Sequence, residues 1–214
     1  MSQKTAIIFD FGNVIAFFDY GRASSALGEQ LGIQGDELLE RLRQRGLNSL
    51  VVRYESGTIG DQQFFREFSE LAELDLSYEA FVPAWSDIFH LNESVAELIE
   101  PLKNEGHTLV LGSNTNALHA RQFRHQFEGT LRHFDGLVLS YEVGYVKPSK
   151  EFYLACAASA GHPPEECVFI DDLAENIEGA IAAGLRGIVY RDTPQLITDL
   201  RAIGIGLEDR NSEV

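Results

Sequence analysis

The chain has 214 residues, 44% hydrophobic content and a formal net charge of −16, which suits one packed domain with an inserted subdomain. The charge argues against a general nucleic-acid-binding or anionic-membrane role, because such surfaces repel an acidic protein. No apolar stretch reaches the roughly 18 to 20 residues that a membrane span needs. Residues 1–4 lack the apolar core of a secretion signal, and Cys156 and Cys167 are expected to be buried free thiols, so we expect a cytoplasmic protein.

The first predicted strand is an uninterrupted apolar run, residues 6–9, that ends at Asp10 and a Gly-Asn turn. Such a run is typical of a strand that is buried on both faces. A carboxylate at the tip of a buried strand is costly to keep there without a charge partner. Asp10 is therefore a candidate site residue.

Residues from about 17 to 91 show no comparable strand run and predict a block of helices. Apolar residues at helical spacing indicate three of them, near residues 38–42, 64–72 and 81–89. A block inserted after the first strand is what a cap over an active site would look like, and a plain helical layer beside the sheet is the alternative. We therefore divide the chain into an α/β core of residues 1–16 and 92–214 and a helical cap of residues 17–91.

The rest of the chain alternates apolar runs with helical patterns. The runs predict strands at residues 109–111, 137–139, 168–170 and 187–190. The helical patterns cover residues 93–105, 116–127, 149–160 and 175–183, with Asn92 and Ser149 as N-caps of the first and third. The alternation predicts an α/β fold, a Rossmann-like parallel sheet with helices on both faces. The polar tail, residues 207–214, is expected to fray.

Polar side chains follow the predicted strands at their carboxyl ends, where open parallel sheets bind ligands. They are Asp10, Ser113, Asn114, Lys147, Asp171 and Asp172. Taken singly, most of them could be helix N-caps or, for the lysine, a solvated loop residue. Three carboxylates at one end of a sheet repel one another, however, and a divalent cation resolves that repulsion. Oxygen ligands favour Mg²⁺, and with Lys147 present the site would suit a phosphate.

The order of these residues resembles the four motifs of the haloacid dehalogenase-like hydrolase superfamily. The motifs are Asp10-Phe11-Gly12-Asn13-Val14, Ser113-Asn114, Lys147-Pro148 and Asp171-Asp172, and they span most of the chain. The individual residues of these motifs are similar to those of bacterial α-D-glucose-1-phosphate phosphatases and of the phosphatase half of soluble epoxide hydrolases. The resemblance implies a Mg²⁺-dependent phosphatase that hydrolyses a small phosphate monoester, such as a sugar phosphate, through an aspartyl-phosphate.

The resemblance also implies a role for each site residue. Asp10 is the nucleophile and binds Mg²⁺ together with the backbone carbonyl of Gly12 and with Asp172, while Asp171 binds it directly or through water. The phosphoryl group is bound by Ser113 and the Asn114 backbone, and Lys147 neutralises the charge of the nucleophile and the phosphate. The expected partner is a small phosphorylated metabolite, with no nucleic acid and no membrane, and the oligomeric state is left open.

Gly12 departs from the family pattern. Phosphatases of this superfamily usually carry a second Asp there, which acts as general acid and base. Gly12 can still offer its carbonyl to a metal, but it has no proton to give, and general acid–base catalysis is worth roughly 10² to 10⁴-fold. Asp19 is either a substitute acid or a solvated hinge residue.

Two other functions are compatible with the sequence. A metal-independent 2-haloacid dehalogenase also has an Asp nucleophile and needs no second Asp, but it gives no reason to gather Asp171 and Asp172. A non-catalytic phosphate-ligand-binding homologue would keep the site and would have lost turnover with Gly12.

Overall fold

The computed structural model describes residues 5–206. The expectations for residues 1–4 and for the tail, residues 207–214, lie outside this described part. Its strands are β1 (Ala6–Phe9), β2 (Ala16–Phe18), β3 (Phe89–Leu91), β4 (Thr108–Ser113), β5 (Gly136–Leu139), β6 (Cys167–Asp171) and β7 (Arg186–Val189). Its α-helices are α1 (Tyr20–Leu31), α2 (Gly35–Gln44), α3 (Leu47–Glu55), α4 (Asp61–Ala72), α5 (Tyr78–Ser86), α6 (Glu93–Asn104), α7 (Ala117–Gln126), α8 (Glu128–Leu131), α9 (Ser140–Val143), α10 (Lys150–Ala160), α11 (Ala174–Ala182) and α12 (Thr193–Ala202).

Five strands form one parallel sheet in the order β5-β4-β1-β6-β7. The central strand β1 alternates its side chains between the two faces, so Ile7 and Phe9 pack on one side while Ala6 and Ile8 pack on the other. Helices α6, α7, α8 and α12 supply buried residues to the first face, and α10 and α11 supply them to the second. The predicted α/β fold with helices on both faces is confirmed.

Helices α1 to α5, which we call the helical block, lie in the chain between β2 and β3. The block has an apolar cluster of its own, rich in aromatic rings such as Phe64, Phe68, Phe81 and Trp85. Strands β2 and β3 pair antiparallel as a two-stranded sheet at the two points where the chain enters and leaves the block. The block is therefore connected to the core by two adjacent strands.

Several local features differ from the sequence-based expectations. The pattern missed β2 and β3, and it missed helices α1, α3, α8, α9 and α12. A helix was expected near residues 81–89, but α5 ends at Ser86 and Phe89 begins β3. Asn92 and Ser149 do precede helices, but neither side chain caps its helix. The Asn92 amide instead donates to the Val14 carbonyl and to the Tyr190 hydroxyl, both at 2.9 Å, because the fold offers it these distant acceptors.

The structure also bears on the two cysteines and on membrane-spanning helices. Cys156 and Cys167 are free and buried, as expected. In the described part of the chain, no helix has the length and apolar character that a membrane span requires.

Candidate active site

The six residues singled out in the sequence lie at the carboxyl edge of the parallel sheet. Asp10 directly follows β1, Ser113 ends β4, and Asp171 ends β6. Lys147 comes from the loop between α9 and α10. The parallel strands bring these residues to the same edge, as strands of one direction must.

Lys147 lies between two carboxylates. Its Nζ atom is 2.7 Å from Asp10 Oδ1 and 2.7 Å from Asp171 Oδ2. The side chains of Lys147 and Asp171 are 2% and 0% exposed, so water contributes little to their solvation. Burial alone would lower the pKa of the Lys147 ammonium, but the two carboxylates outweigh it, and the pKa is raised. Lys147 therefore stays protonated, and its positive charge neutralises part of the negative charge of the site.

Asp10 is positioned through one of its two oxygens. Oδ1 accepts from the Phe11 N–H at 2.7 Å and faces Lys147, while within residues 5–206 no group donates to Oδ2. Burial raises the pKa of Asp10 to about 7, although the ion pair with Lys147 opposes the shift. Asp10 thus presents one free oxygen at a site where a further cation would favour the ionised form.

Asp171 and Asp172 have different surroundings. The Asn176 amide donates to both Asp171 oxygens, at 2.9 and 3.0 Å, and the Leu173 N–H donates to Oδ1 at 2.9 Å. Together with Lys147, which donates to Oδ2, these groups give each Asp171 oxygen two hydrogen-bond donors. Asp172 is only half-buried and accepts one hydrogen bond among the described residues, from Asn13 at 2.9 Å.

The donor set of the site suits a hard divalent cation. Oxygen atoms of Asp10, Asp171 and Asp172 lie within 4.8 Å of one another, with no histidine or cysteine in this group of described residues. Three carboxylates face a single ammonium, which leaves the cluster short of positive charge. Carboxylate oxygens with room for water are the environment that Mg²⁺ prefers, so the residues present fit the metal.

Ser113 and Asn114 lie beside this cluster, but their side chains behave differently. The Asn114 amide and the Lys147 backbone exchange two hydrogen bonds, at 2.8 and 3.2 Å. The Asn114 side chain therefore positions Lys147 and leaves only its backbone for a ligand. The Ser113 hydroxyl donates to the Asn114 carbonyl at 3.3 Å, a weak bond that a better acceptor can replace.

The space beside Gly12 is taken by an aromatic ring. A Cβ atom built on Gly12 would lie 3.0 and 3.3 Å from two ring carbons of Phe18, so a side chain at position 12 requires this ring to move. Asp19 is exposed and caps α1 by accepting from the Gly21 N–H at 2.7 Å. Asp19 thus serves the helix, as expected of a hinge residue, and does not line the site.

A cavity of about 80 Å³ opens between the helical block and the carboxyl edge of the sheet. Gly12, Ser113 and Asn114 line its core side, and Tyr20 and Glu55 line its helical side. A group bound in this cavity therefore contacts both the core and the helical block.

His119 is a further residue of the cavity wall and is held neutral. The Trp85 carbonyl can only accept, so His119 Nε2 carries the hydrogen and donates at 3.2 Å, and Nδ1 accepts from the Asn116 amide at 2.9 Å. Burial lowers the pKa of His119 to about 4. Both ring nitrogens are engaged, so His119 has no free site for proton transfer.

Sequence reasoning missed three residues of this region. Asn13 and Asn176 hold the two adjacent aspartates, and Glu55 lines the cavity from the helical block. Asn13 lies in the turn after β1 with a φ of +57°, and an Asn in a Gly-Asn turn is a signal that could have identified it. Glu55 lies in the third helix of the block, which the sequence pattern did not predict.

The sequence of the chain is similar to those of known proteins of one family. The family model of haloacid dehalogenase-like hydrolases matches residues 4–184. D-ribitol-5-phosphate phosphatase of Bacteroides thetaiotaomicron is 28% identical over 178 residues, which cover 80% of this chain and 84% of that protein. Phosphatase MT3486 of Mycobacterium tuberculosis is 26% identical over 220 aligned positions, with 95% of this chain and 97% of that protein covered.

A solved structure shows the same fold. The crystal structure of a Bacteroides thetaiotaomicron enzyme of this family, in complex with magnesium and inorganic phosphate, has a TM-score of 0.74 at 23% identity. The similarity covers 91% of this chain and 99% of that chain. Because the family model matches well over half of the sequence, the chain belongs to the haloacid dehalogenase-like hydrolase family.

Proposed function

We propose that this hydrolase is a Mg²⁺-dependent phosphatase that hydrolyses a small phosphate monoester, such as a sugar phosphate, through an aspartyl-phosphate on Asp10. The observation that carries the proposal is the contact between Asp10 Oδ1 and Lys147 Nζ at 2.7 Å, beside two further carboxylates. A carboxylate that is ion-paired through one oxygen and free at the other is arranged to attack an electrophile. Relatives named as phosphatases, of D-ribitol 5-phosphate in one case, support a phosphate ester as that electrophile.

The first step follows from the free oxygen of Asp10. Oδ2 attacks phosphorus, the bond from phosphorus to the ester oxygen breaks with its electron pair on that oxygen, and the oxygen takes up a proton and leaves as the alcohol. Water then attacks the phosphorus of the acyl phosphate and restores Asp10. Lys147 offsets the charge of the nucleophile and of the phosphoryl oxygens, and Ser113 and the Asn114 backbone N–H supply donors to those oxygens.

Asp10, Asp172 and the backbone carbonyl of Gly12 would hold the metal. The surroundings of the two adjacent aspartates support this assignment, since Asp171 is filled by donors from Asn176, Leu173 and Lys147 while Asp172 has only Asn13. Asp171 would then orient Lys147, with which it is ion-paired at 2.7 Å, and would reach the metal only through water. A bound Mg²⁺ would supply charge neutralisation and orientation of the phosphate. The magnesium complex of the related solved structure also supports this metal.

We further propose that residues 17–91 act as a cap that selects the leaving group. The cavity between the block and the sheet edge supports this role, because Tyr20 and Glu55 reach it from the block. The substrate is then a small phosphorylated metabolite whose non-phosphate part contacts these residues.

Phosphate release from a panel of sugar phosphates tests the proposal. The wild type should release phosphate with Mg²⁺ and lose this activity in EDTA, and Asp10→Asn should reduce it by at least about 1,000-fold, since both the nucleophile and a metal ligand are altered. Asp75→Asn, a change in an exposed carboxylate of the block, is the matched control and should leave the rate unchanged.

Two results would contradict the proposal. One is the absence of phosphate release from every ester of the panel in the presence of Mg²⁺. The other is EDTA-insensitive halide release from a 2-haloacid, which would favour a dehalogenase. Stabilisation by beryllofluoride without any hydrolysis would instead favour a non-catalytic binding protein.

A further inference from the structure

The proposed phosphatase lacks an obvious source for the proton of the leaving alcohol. Gly12 has no side chain, and the ring of Phe18 fills the space into which one would extend. Asp19, the next carboxylate along the chain, is exposed and caps α1. An alkoxide is a poor leaving group, so a proton donor is worth roughly 10² to 10⁴-fold.

Among the described residues that line the cavity beside Gly12, three can titrate, namely Tyr20, Glu55 and His119. His119 uses both ring nitrogens, for Asn116 and for the Trp85 carbonyl. Burial raises the pKa of the Tyr20 phenol well above its usual range, which makes it a weak acid. Glu55 is the one carboxylic acid among the described residues that line the cavity, and within residues 5–206 its carboxyl group has no hydrogen-bond or ion-pair partner.

The backbone of Glu55 is fixed against the core. The Ser140 hydroxyl, at the start of α9, donates to the Glu55 carbonyl at 2.6 Å and also lies 2.9 Å from the Thr115 N–H of the core. Two residues further on, Gly57 passes so close to α9 that a Cβ there would lie 2.3 Å from the Tyr141 carbonyl oxygen. The turn that carries Glu55 is therefore docked on the core at two points.

We propose, on the basis of the proposed phosphatase function, that Glu55 is the catalytic acid and base of this enzyme and replaces the side chain missing at Gly12. As the bond from phosphorus to the ester oxygen breaks, its electron pair stays on that oxygen, which takes the proton of the Glu55 carboxyl group. The Glu55 carboxylate then accepts a proton from the water that attacks the aspartyl-phosphate. The water oxygen joins phosphorus, the electron pair of the broken acyl-phosphate bond returns to Asp10, and Glu55 is again protonated.

The electrostatic surroundings of Glu55 suit both halves of this cycle. Burial raises the pKa of Glu55 to about 7, and the positive charge of Lys147 opposes the shift. The other titratable groups among the described residues of the cavity wall, Tyr20 from α1 and His119 from α7, are neutral at that pH. An acid–base group with a pKa near the working pH is populated in both forms, which is the condition for efficient proton transfer.

The test compares two substrates with Glu55→Gln. An alkyl phosphate needs a proton on its leaving oxygen, whereas 4-nitrophenyl phosphate releases a stable phenolate. Glu55→Gln should lower kcat/KM by about 100-fold or more for the alkyl ester and by less than about 10-fold for the nitrophenyl ester. The wild type should lose alkyl-ester activity as the pH rises through about 7, because Glu55 loses its proton there, and Glu55→Gln should remove this fall.

Controls separate catalysis from structure. Asp19→Asn, a carboxylate change at the exposed start of α1, should leave both kcat/KM values unchanged. The rise in melting temperature caused by beryllofluoride with Mg²⁺ should be the same in Glu55→Gln and wild type, because beryllofluoride carries no leaving group for Glu55 to protonate. If Glu55→Gln fails to fold, the same question is answered by measuring how kcat/KM of the wild type depends on the pKa of the leaving group. This dependence should be shallow at pH 6, where Glu55 is protonated, and steep at pH 9, where it is not.

The inference is overturned by equal losses for the two esters, by no loss for the alkyl ester, or by equal slopes at the two pH values. In each of these cases the wild type still hydrolyses phosphate esters, so the proposed function stands. A wild type that hydrolyses neither ester with Mg²⁺ would overturn the proposed function and this inference together.

Discussion

Lys147 is the residue that balances the charge of the site. It is buried and holds Asp10 and Asp171 at 2.7 Å each, so removing its charge leaves carboxylates buried without a counterion. Lys147→Met should lower the free energy of unfolding of the metal-free protein by about 3 to 5 kcal/mol at pH 8. The loss should shrink as the pH falls, because carboxylates that have lost their cation have raised pKa values in the folded state and take up protons there first.

Chemical denaturation at several pH values measures this effect. Lys150→Met removes an exposed lysine three residues along the chain and is the matched control, with an expected change within about 0.5 kcal/mol. A Lys147→Met variant that matches the control at pH 8, or one whose loss grows as the pH falls, would show that the ion pairs do not stabilise the site as described.

Residues that directly follow apolar strands could be predicted from the sequence, and their supporting residues could not. Asp10 and Asp171 end buried runs, so their position at the sheet edge follows from the pattern alone. Asn176 reaches Asp171 from the first turn of α11, and Glu55 reaches the cavity from a separate helix about ninety positions before Lys147. Contacts of this kind depend on how elements pack, which no local pattern encodes.

At the scale of elements, the docking of α3 on α9 depends on Gly57. Its φ is +70°, and a Cβ would lie 2.3 Å from the Tyr141 carbonyl oxygen, which as a backbone atom cannot easily move away. Gly57→Ala should therefore cost about 1 to 2 kcal/mol for the left-handed backbone and about 1 to 3 kcal/mol more for the clash. It should also lower activity on alkyl phosphates, because the displaced turn carries Glu55.

Gly32→Ala provides the control for this prediction. Gly32 has a φ of +66°, but a Cβ there meets no atom within 4 Å, so the variant carries the backbone cost without the clash. Melting curves and kcat/KM of the two variants give the comparison. Equal destabilisation by both substitutions, with unchanged activity, would show that the approach of Gly57 to Tyr141 does not position the block.

The helices of the block differed in how well the sequence predicted them. Phe64 and Phe68 mark α4 at helical spacing, as large apolar side chains do for most amphipathic helices. Helix α1 buries one large apolar residue, Leu27, and otherwise the small residues Ala23, Ser24 and Gly28, which leave no continuous apolar stripe to detect. Strands β2 and β3 have three residues each, too few to show an alternating pattern.

At the scale of the whole molecule, the alternation of strands and helices was enough to predict the fold class and the edge of the sheet that carries the site. The net charge of −16 has a consequence for the same edge, since an anionic substrate approaches a strongly acidic protein. Lys147 is buried and already paired with two carboxylates. We therefore expect a divalent cation to bind at the three carboxylates before a phosphate ester binds.

Trapping of the covalent intermediate tests the central claim, that Asp10 accepts the phosphoryl group. The enzyme is mixed with a turned-over sugar phosphate and Mg²⁺, quenched in acid, digested and analysed by mass spectrometry. We predict one phosphoryl group on the peptide that contains Asp10, absent in EDTA and absent in Asp10→Asn. Phosphate release at the full rate with no phosphoryl group on Asp10, or with one on another residue, would contradict the account.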